Sequence, residues 1–252
     1  MKRFTGVCYS IAFLLVSVAL GHAESIFTTI HKKEIEKKFP KFTLSLTIPH
    51  IFKVDNIPNE AISELKSIIK REFRRERRSF LKEVRSFAEI ESANTSYFRA
   101  TLENELLANF LHPKLISIET KFEVFVPYDS PTHFFKMFNY DLERGQLIEL
   151  EDVLRKDKFV QGLQRISQIA RNELKKRLIG DSLDRGVYEW ILKGTTPTRN
   201  NFRDVAFTSH GLKIAFSEYL VACYADGPQE IVVPWEDLRD FVDDKYMFLV
   251  RH

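Results

Sequence analysis

The strongest constraint on the fold lies in residues 207–238, where short strands and turns follow each other closely. Between residues 212 and 217 apolar and more polar side chains alternate (LKIAFS), and this period of two predicts a half-buried strand. Asp226-Gly227-Pro228 predicts a chain reversal. The β-branched run at 231–233 predicts a second strand, which ends at Pro234 before a helix that begins near Trp235. The segment therefore predicts antiparallel strands closed by a helix.

Hydrophobic periodicity assigns the other elements of the chain. Apolar residues three or four positions apart predict helices, and Gly180 is expected to cap the second of them. Alternation predicts further strands, whereas the charged run at 32–38 is expected to be an exposed stretch or a short helix. The predicted helices are 57–88, 158–179 and 183–193, and the predicted strands are 42–48, 98–107, 115–126 and 133–142.

This order of elements predicts an α+β protein with mostly antiparallel sheets packed with helices. The chain has 252 residues, 22 of them Phe, which is enough for a substantial aromatic core. We expect two small subdomains, at residues 24–130 and 131–252.

Residues 1–23 are typical of a secretory signal peptide. Lys2 and Arg3 form a positive start, residues 11–20 are apolar, and Gly21-His22-Ala23 supplies small residues before a cleavage point at Glu24. The alternative is an uncleaved inner-membrane anchor, because residues 4–21 carry no charge. With cleavage, no stable membrane span is expected, and the mature protein is periplasmic or secreted.

The charge balance argues against a nucleic-acid-binding protein. The formal net charge is +3, and without Lys2 and Arg3 the chain keeps 36 basic and 35 acidic residues. Nine cations lie between residues 66 and 85 of the first predicted helix, with acidic residues interleaved. We interpret them as a solvated helix face with ion pairs at helical spacing. The alternative is contact with a polyanion, such as a wall polymer or lipid headgroups.

The sequence offers no recognisable catalytic or metal site. Cys223 is the one cysteine after residue 23, and we expect it to be a buried small hydrophobe. The histidines are scattered without metal-ligand spacing, so no metal and no cofactor are expected. His133 and Asp141 form the one suggestive grouping, and they are expected at opposite ends of one strand. The letters GDSL at 180–183 match a lipase-esterase signature, but they follow a helix and lack a downstream Asp-x-x-His.

Two blocks of sequence carry a family resemblance. The first comprises Thr132-His133, Phe138-Asn139-Tyr140-Asp141-Leu142, Gly145, Leu150, Asp152 and Leu154. The second comprises Phe207-Thr208, Gly211-Leu212, Phe216, Tyr219, Val221-Ala222, Tyr224, Gly227, Val233-Pro234 and Leu238. Together they resemble the extracytoplasmic region of RsiV-type anti-sigma factors, which sense lysozyme. They are also similar to the non-catalytic N-terminal region of PdaC-type peptidoglycan deacetylases.

The resemblance implies an exported α+β module that binds a protein or a wall component. Only three residues precede the apolar segment and the given sequence ends at residue 252, so neither an anti-sigma role nor a deacetylase domain is expected. The sequence thus predicts a non-enzymatic envelope module for a lysozyme-like hydrolase or peptidoglycan. The alternative is an envelope hydrolase with an unrecognised site. The candidate binding residues are His133, Tyr140, Asp141, Tyr219 and Tyr224.

Overall fold

The computed structural model confirms an α+β fold with antiparallel sheets and helices. It describes residues 30–38, 42–51, 59–90, 100–126, 129–180 and 184–251, with backbone only for 30–38, 42–51 and 87–90. The expected signal peptide lies outside the described residues. The chain divides into two compact units, one of Met1–Leu106 with Phe122–Pro131 and one of Leu107–Lys121 with Thr132–His252.

The first unit begins with an antiparallel hairpin of β1 (Ile30–Lys38) and β2 (Phe42–Ile51). β2 also pairs in parallel with the start of β3 (Ala100–His112). The alternative of a short helix at residues 32–38 is therefore wrong, because these residues belong to β1, while the expected exposure stays a prediction. Charged residues give no apolar period to detect, whereas the backbone hydrogen bonds of an edge strand tolerate lysine on both faces.

Helix α1 (Asn59–Ile90) supplies the apolar face of the first unit. The helix predicted from three- and four-residue spacing is confirmed. The ring of Phe73 lies 5.3 Å from that of Phe122 on β4 (Leu115–Phe125), so the helix packs on the sheet. The side chain of Phe87 lies outside the described part. The buried face consists of Ile62, Leu65, Ile69, Phe73, Phe80 and Val84, each at most 3% exposed.

The second unit contains the tip of the β3–β4 hairpin, a small sheet and the remaining helices. In strand order, β3 and β4 are followed by β5 (Thr132–Asp141) and β6 (Gln146–Leu147). A second, three-stranded antiparallel sheet has the order β7-β8-β9. Its strands are β7 (Val205–Phe207), β8 (Gly211–Phe216) and β9 (Gln229–Pro234), and the helices of the unit are α2 (Leu150–Val153), α3 (Phe159–Leu178), α4 (Arg185–Gly194) and α5 (Trp235–Leu238).

Helix α3 packs its predicted apolar face into the core of this unit. Leu163, Ile166 and Leu174 are at most 4% exposed. The expected cap at Gly180 is confirmed: its φ is +58°, and its backbone N–H donates to the Lys175 carbonyl at 3.1 Å. This left-handed termination is the position that glycine favours.

Strand β8 is more deeply buried than its alternating sequence predicts. It lies between β7 and β9, and Ala215 on its second face is only 2% exposed. The Lys213 ammonium on that face lies 2.8 Å from Glu119 Oε2 and 2.7 Å from Glu230 Oε2. The prediction that this strand is half-buried is therefore wrong, because both of its faces are covered. Alternation reveals a polar face, but it cannot show whether water or carboxylates satisfy that face.

The division into units differs from the expected split near residue 130. Residues 107–121 were expected in the N-terminal subdomain, whereas they belong to the second unit. Leu115 at the hairpin tip is 0% exposed in the core of that unit. A continuous pair of strands shows no break in sequence where its residues pass from one core to another.

Candidate functional site

The turn that follows β8 holds a tyrosine in an unusual backbone conformation. Tyr219 has φ +66°, in the left-handed region that bulky side chains rarely occupy. Its N–H donates to the Ala222 carbonyl at 3.1 Å, and the Leu220 N–H donates to the Ser217 carbonyl at 3.2 Å. The turn therefore fixes the tyrosine in a strained geometry, which is a feature that recurs at ligand-contact sites.

Neighbouring elements hold this turn in place. Val221 and Ala222 are at most 2% exposed and anchor its second half. At the end of α4, a Cβ on Gly194 would lie 2.1 Å from the Leu220 carbonyl oxygen. The glycine is needed there because the helix end and the turn approach at backbone contact distance.

Three aromatic rings meet above the turn. The Tyr219 ring lies 5.9 Å from Trp190 on α4 and 6.1 Å from Tyr224, to which it is inclined by only 28°. Tyr219 is 59% exposed. We call Trp190, Tyr219 and Tyr224 the aromatic cluster. Such rings offer a broad, rigid contact area with few rotatable bonds, and they are enriched at binding surfaces.

A carboxylate beside Tyr219 joins the turn to the start of β5. Both oxygens of Glu218 accept from the backbone N–H of His133, at 3.2 and 3.1 Å, and the His133 Nδ1 donates to Glu218 Oε1. The Glu218 side chain is 5% exposed and that of His133 is 20% exposed. Glu218 is therefore engaged in fixing the turn, and His133 is its hydrogen-bonding partner at the start of β5.

The other two candidate residues lie at the far end of β5. Tyr140 is 0% exposed, so its ring belongs to the core and does not reach a surface ligand. Asp141 Oδ1 accepts from the N–H groups of Glu143 and Arg144 at 3.0 and 2.8 Å, and Oδ2 accepts from the Tyr246 hydroxyl at 2.7 Å. Asp141 thus organises the β5–β6 turn. As expected, His133 and Asp141 occupy opposite ends of one strand, about 26 Å apart at 3.3 Å per residue.

The expectation for Cys223 is wrong, because this cysteine is exposed. Its thiol donates to Asp226 Oδ2 at 3.0 Å. The residues around it form a short 3₁₀ turn, Tyr224–Asp226, rather than a strand. Burial of Ala222 beside it therefore says nothing about the side chain of the next residue.

Sequence reasoning missed two members of this region. Trp190 fitted the apolar face of a helix, and its contact with Tyr219 depends on the tertiary placement of α4. Glu218 carried no signal, because an acidic residue after a strand is ordinarily solvated. The available clue was the aromatic content of residues 217–226, which no strand or helix period explains.

Two groups with raised pKa values serve the fold of the second unit. Burial raises the pKa of the Tyr246 phenol, and its hydrogen bond to the Asp141 carboxylate acts in the same direction. For Lys213, burial alone would lower the pKa, but hydrogen bonds to Glu119 and Glu230 outweigh it and raise the pKa. Both groups are fully engaged with protein partners, so they stabilise tertiary contacts.

The described residues hold no group of three or more His, Cys, Asp or Glu that could bind a metal ion. Of the GDSL letters, only Gly180 is described, and it caps α3; residues 181–183 lie outside the described part. Within the same described ranges, no helix has both the length and the apolar character that a bilayer crossing needs.

Comparison with known proteins identifies a domain and a fold. Residues 151–236 match the family described as "Protein of unknown function (DUF3298)". No curated protein is significantly similar to the chain. Two solved structures are similar over nearly their whole length. Because they are only 13% and 16% identical to this chain, the likeness shows the fold alone.

The first is a DUF3298 family member from Bacteroides fragilis, with 13% identity, 89% of this chain and 96% of that chain covered, and a TM-score of 0.64. The second is a DUF3298 family protein from Pseudomonas aeruginosa, with 16% identity, 88% and 96% covered, and a TM-score of 0.63. The aromatic cluster lies wholly within the matched residues, and the chain carries a DUF3298 domain at residues 151–236.

Proposed function

We propose that this protein is an exported, non-enzymatic binding module of the cell envelope, and that the aromatic cluster is its ligand-contact surface. The observation that carries the proposal is Tyr219, which is 59% exposed, in a left-handed conformation, and flanked by two further rings. The exposed Tyr219 ring adds little to the core, so packing does not explain its strained backbone. Contact with a ligand is a use that accounts for the geometry.

The geometry favours binding over catalysis. The three rings supply contact area. The titratable pair next to them, His133 and Glu218, is mutually hydrogen-bonded, with the Glu218 side chain 5% exposed. A general base needs access to its substrate proton. The rival proposal, an envelope hydrolase, would require a nucleophile within reach of His133.

Peptidoglycan is the ligand that we favour. The Tyr219 and Tyr224 rings are nearly parallel, at 28°, and a sugar ring can lay its apolar C–H face on such planes while its hydroxyl groups stay in water. The family resemblance to modules of peptidoglycan deacetylases supports the same ligand.

A lysozyme-like wall hydrolase is the second candidate ligand. Tyr219 is 59% exposed beside Leu220, which is 38% exposed, and tyrosine is among the residues enriched at protein-binding hot spots. The resemblance to lysozyme-sensing modules supports this alternative.

The test is co-sedimentation of the purified chain with peptidoglycan sacculi, alongside titration with lysozyme followed by calorimetry. Tyr219→Gly fits the left-handed backbone and removes only the ring, so affinity for the ligand should fall roughly 30-fold, as for a hot-spot residue. Tyr188→Ala removes a tyrosine from α4 that is 37% exposed and outside the aromatic cluster. This control should bind within twofold of the wild type.

Each result bears on the proposal. Retention on sacculi selects peptidoglycan, and saturable binding of lysozyme selects the hydrolase. If neither is bound, or if Tyr219→Gly binds as tightly as the wild type, the proposed surface is wrong. Release of soluble wall fragments by the purified protein would support the hydrolase alternative instead.

A further inference from the structure

One face of α1 carries a continuous row of cations. Spacings of three and four residues place these side chains on one side of a helix, and all of them are exposed. They span about 21 Å, or about four turns. We call them the basic stripe, which consists of Arg71, Arg74, Arg78, Lys82 and Arg85.

The acidic residues of this span do not neutralise the basic stripe. Glu72 and Glu76 lie on the flank of the helix, where Arg75 pairs with them at 2.6 and 3.4 Å. Within the described part of the chain, no member of the basic stripe makes an ion pair. The interleaving that favoured a self-paired helix face exists along the sequence, but the helical turn separates the two signs of charge.

The C-terminal half of the basic stripe lines a concavity of about 370 Å³. Three cations line it, together with Ser86 and the half-buried Leu81. The five lining residues are Arg78, Leu81, Lys82, Arg85 and Ser86. Guanidinium and ammonium groups that line one concavity can bind a phosphate together, since each supplies charge-assisted hydrogen bonds.

The arrangement costs stability when nothing is bound. Arg74 and Arg78, and then Arg78 and Lys82, are like charges four residues apart, and such pairs destabilise a helix. A bound anion would relieve the repulsion in each pair. The overall net charge of only +3 means that this attraction is local to α1 rather than a property of the whole surface.

We propose that the basic stripe docks the protein on an anionic phospholipid membrane, with one lipid phosphate bound in the concavity. The stripe lies along one side of α1 over about four turns, so its charges can meet a planar array of headgroups together. A linear polymer would be held better by a groove with two charged walls. Leu81 adds an apolar contact beside the phosphate, and the apolar face of α1 stays in the core, so docking is electrostatic and peripheral.

The test is sedimentation of the full chain with vesicles of phosphatidylglycerol and phosphatidylcholine, compared with phosphatidylcholine alone. Binding should require phosphatidylglycerol and should be largely lost at 0.5 M salt, where screening is strong. The triple variant Arg78→Gln/Lys82→Gln/Arg85→Gln should lose roughly 100-fold in apparent affinity, from about tenfold per 1.4 kcal/mol and the usual contribution of each basic residue.

A matched control removes three exposed cations from the second unit, Lys156→Gln/Lys176→Gln/Arg185→Gln. It has the same net charge as the triple variant and should bind vesicles within threefold of the wild type. The stripe variant Arg78→Gln/Lys82→Gln/Arg85→Gln should also be at least as stable as the wild type in urea, because it removes repulsion between like charges on α1.

Several outcomes would overturn the proposal. These are equal binding to neutral vesicles, equal loss in both triple variants, or wild-type affinity in the stripe variant. Binding of inorganic phosphate or of a soluble anionic wall polymer without binding to vesicles would assign the stripe to another partner. Loss of vesicle binding in Tyr219→Gly would mean that the two surfaces are not independent.

Discussion

At the scale of single residues, the aromatic cluster depends on one backbone angle. Tyr219 has φ +66°, where a Cβ costs about 1–2 kcal/mol relative to glycine. The hydrogen bonds of the turn and the burial of Val221 and Ala222 hold the residue there. The tyrosine is therefore present despite its backbone, and its ring is the part that a function would use.

This strain predicts an inverted order of stability for two substitutions. Tyr219→Gly and Tyr219→Ala both remove the ring, but only the alanine keeps a Cβ at positive φ. The glycine variant should therefore be about 1 kcal/mol more stable than the alanine variant. Urea unfolding of both variants measures the difference. A more stable alanine variant would show that the turn is not left-handed in solution.

Tyr246 and Asp141 form a second residue-scale contact, which predicts a pH-dependent effect. Tyr246→Phe removes the 2.7 Å hydrogen bond to Asp141 Oδ2 and should cost about 2 kcal/mol at pH 7. Burial raises the pKa of the phenol in the folded state. The stability that Tyr246 contributes is therefore complete below the unfolded value of about 10 and is lost as pH rises above it.

The measurement is urea unfolding of wild type and Tyr246→Phe at pH 7 and pH 11. The gap between them should shrink at pH 11, and the other seven tyrosines cancel because both chains contain them. A constant gap across this range would contradict the assigned role of the phenol.

At the scale of elements, the end of α4 fixes the turn below the aromatic cluster. A Cβ on Gly194 would collide with the Leu220 carbonyl at 2.1 Å, whereas a Cβ on Gly186, in the same helix, would meet only Asp184 Oδ1 at 3.4 Å. The two glycines therefore differ in role although both belong to one ten-residue helix.

Gly194→Ala should destabilise the protein by about 1–3 kcal/mol through overpacking and should weaken ligand binding by shifting Tyr219. Gly186→Ala should be neutral or stabilising by up to about 1 kcal/mol, because alanine favours helix. Thermal unfolding and Trp190 fluorescence follow the two effects. Equal melting temperatures for the two variants would contradict the close approach of α4 and the turn.

At the scale of the whole molecule, the second unit is assembled from two separate stretches of chain. Leu107–Lys121 supplies Leu115 to its core, Ser117 to a buried hydrogen bond with Asn139 at 2.7 Å, and Glu119 to the ammonium of Lys213. Without that stretch, apolar surface and buried polar groups of residues 132–252 would lose their partners.

A fragment of residues 132–252 should therefore fail to form a cooperative native state, whereas residues 107–252 should form one. The expected signs are lost near-ultraviolet circular dichroism and binding of a hydrophobic dye for the shorter fragment. Cooperative urea unfolding of residues 132–252 would show that the hairpin tip is dispensable.

The local sequence determined those elements whose apolar side chains repeat over a single core. The faces of α1 and α3, the strands around residues 115–125 and 132–141, and the glycine cap at residue 180 follow from periodicity and backbone preference. The resemblance of two sequence blocks gave His133, Tyr219 and Tyr224, which the structure brings to one region of the second unit, together with Tyr140 and Asp141, which it buries at the far end of β5.

Only the tertiary structure decided which polar and aromatic residues meet. Trp190 contacts Tyr219, and Glu218 accepts hydrogen bonds from His133, although these residues are distant in sequence. The pairing of β1 and the exposure of Cys223 likewise have no apolar period that would predict them. The separation of the basic stripe from its acidic neighbours, by contrast, follows from the 100° turn between residues of a helix, so the residue spacing of α1 already contains it. Periodicity records how a segment faces its core, whereas a binding surface depends on which segments the fold places side by side.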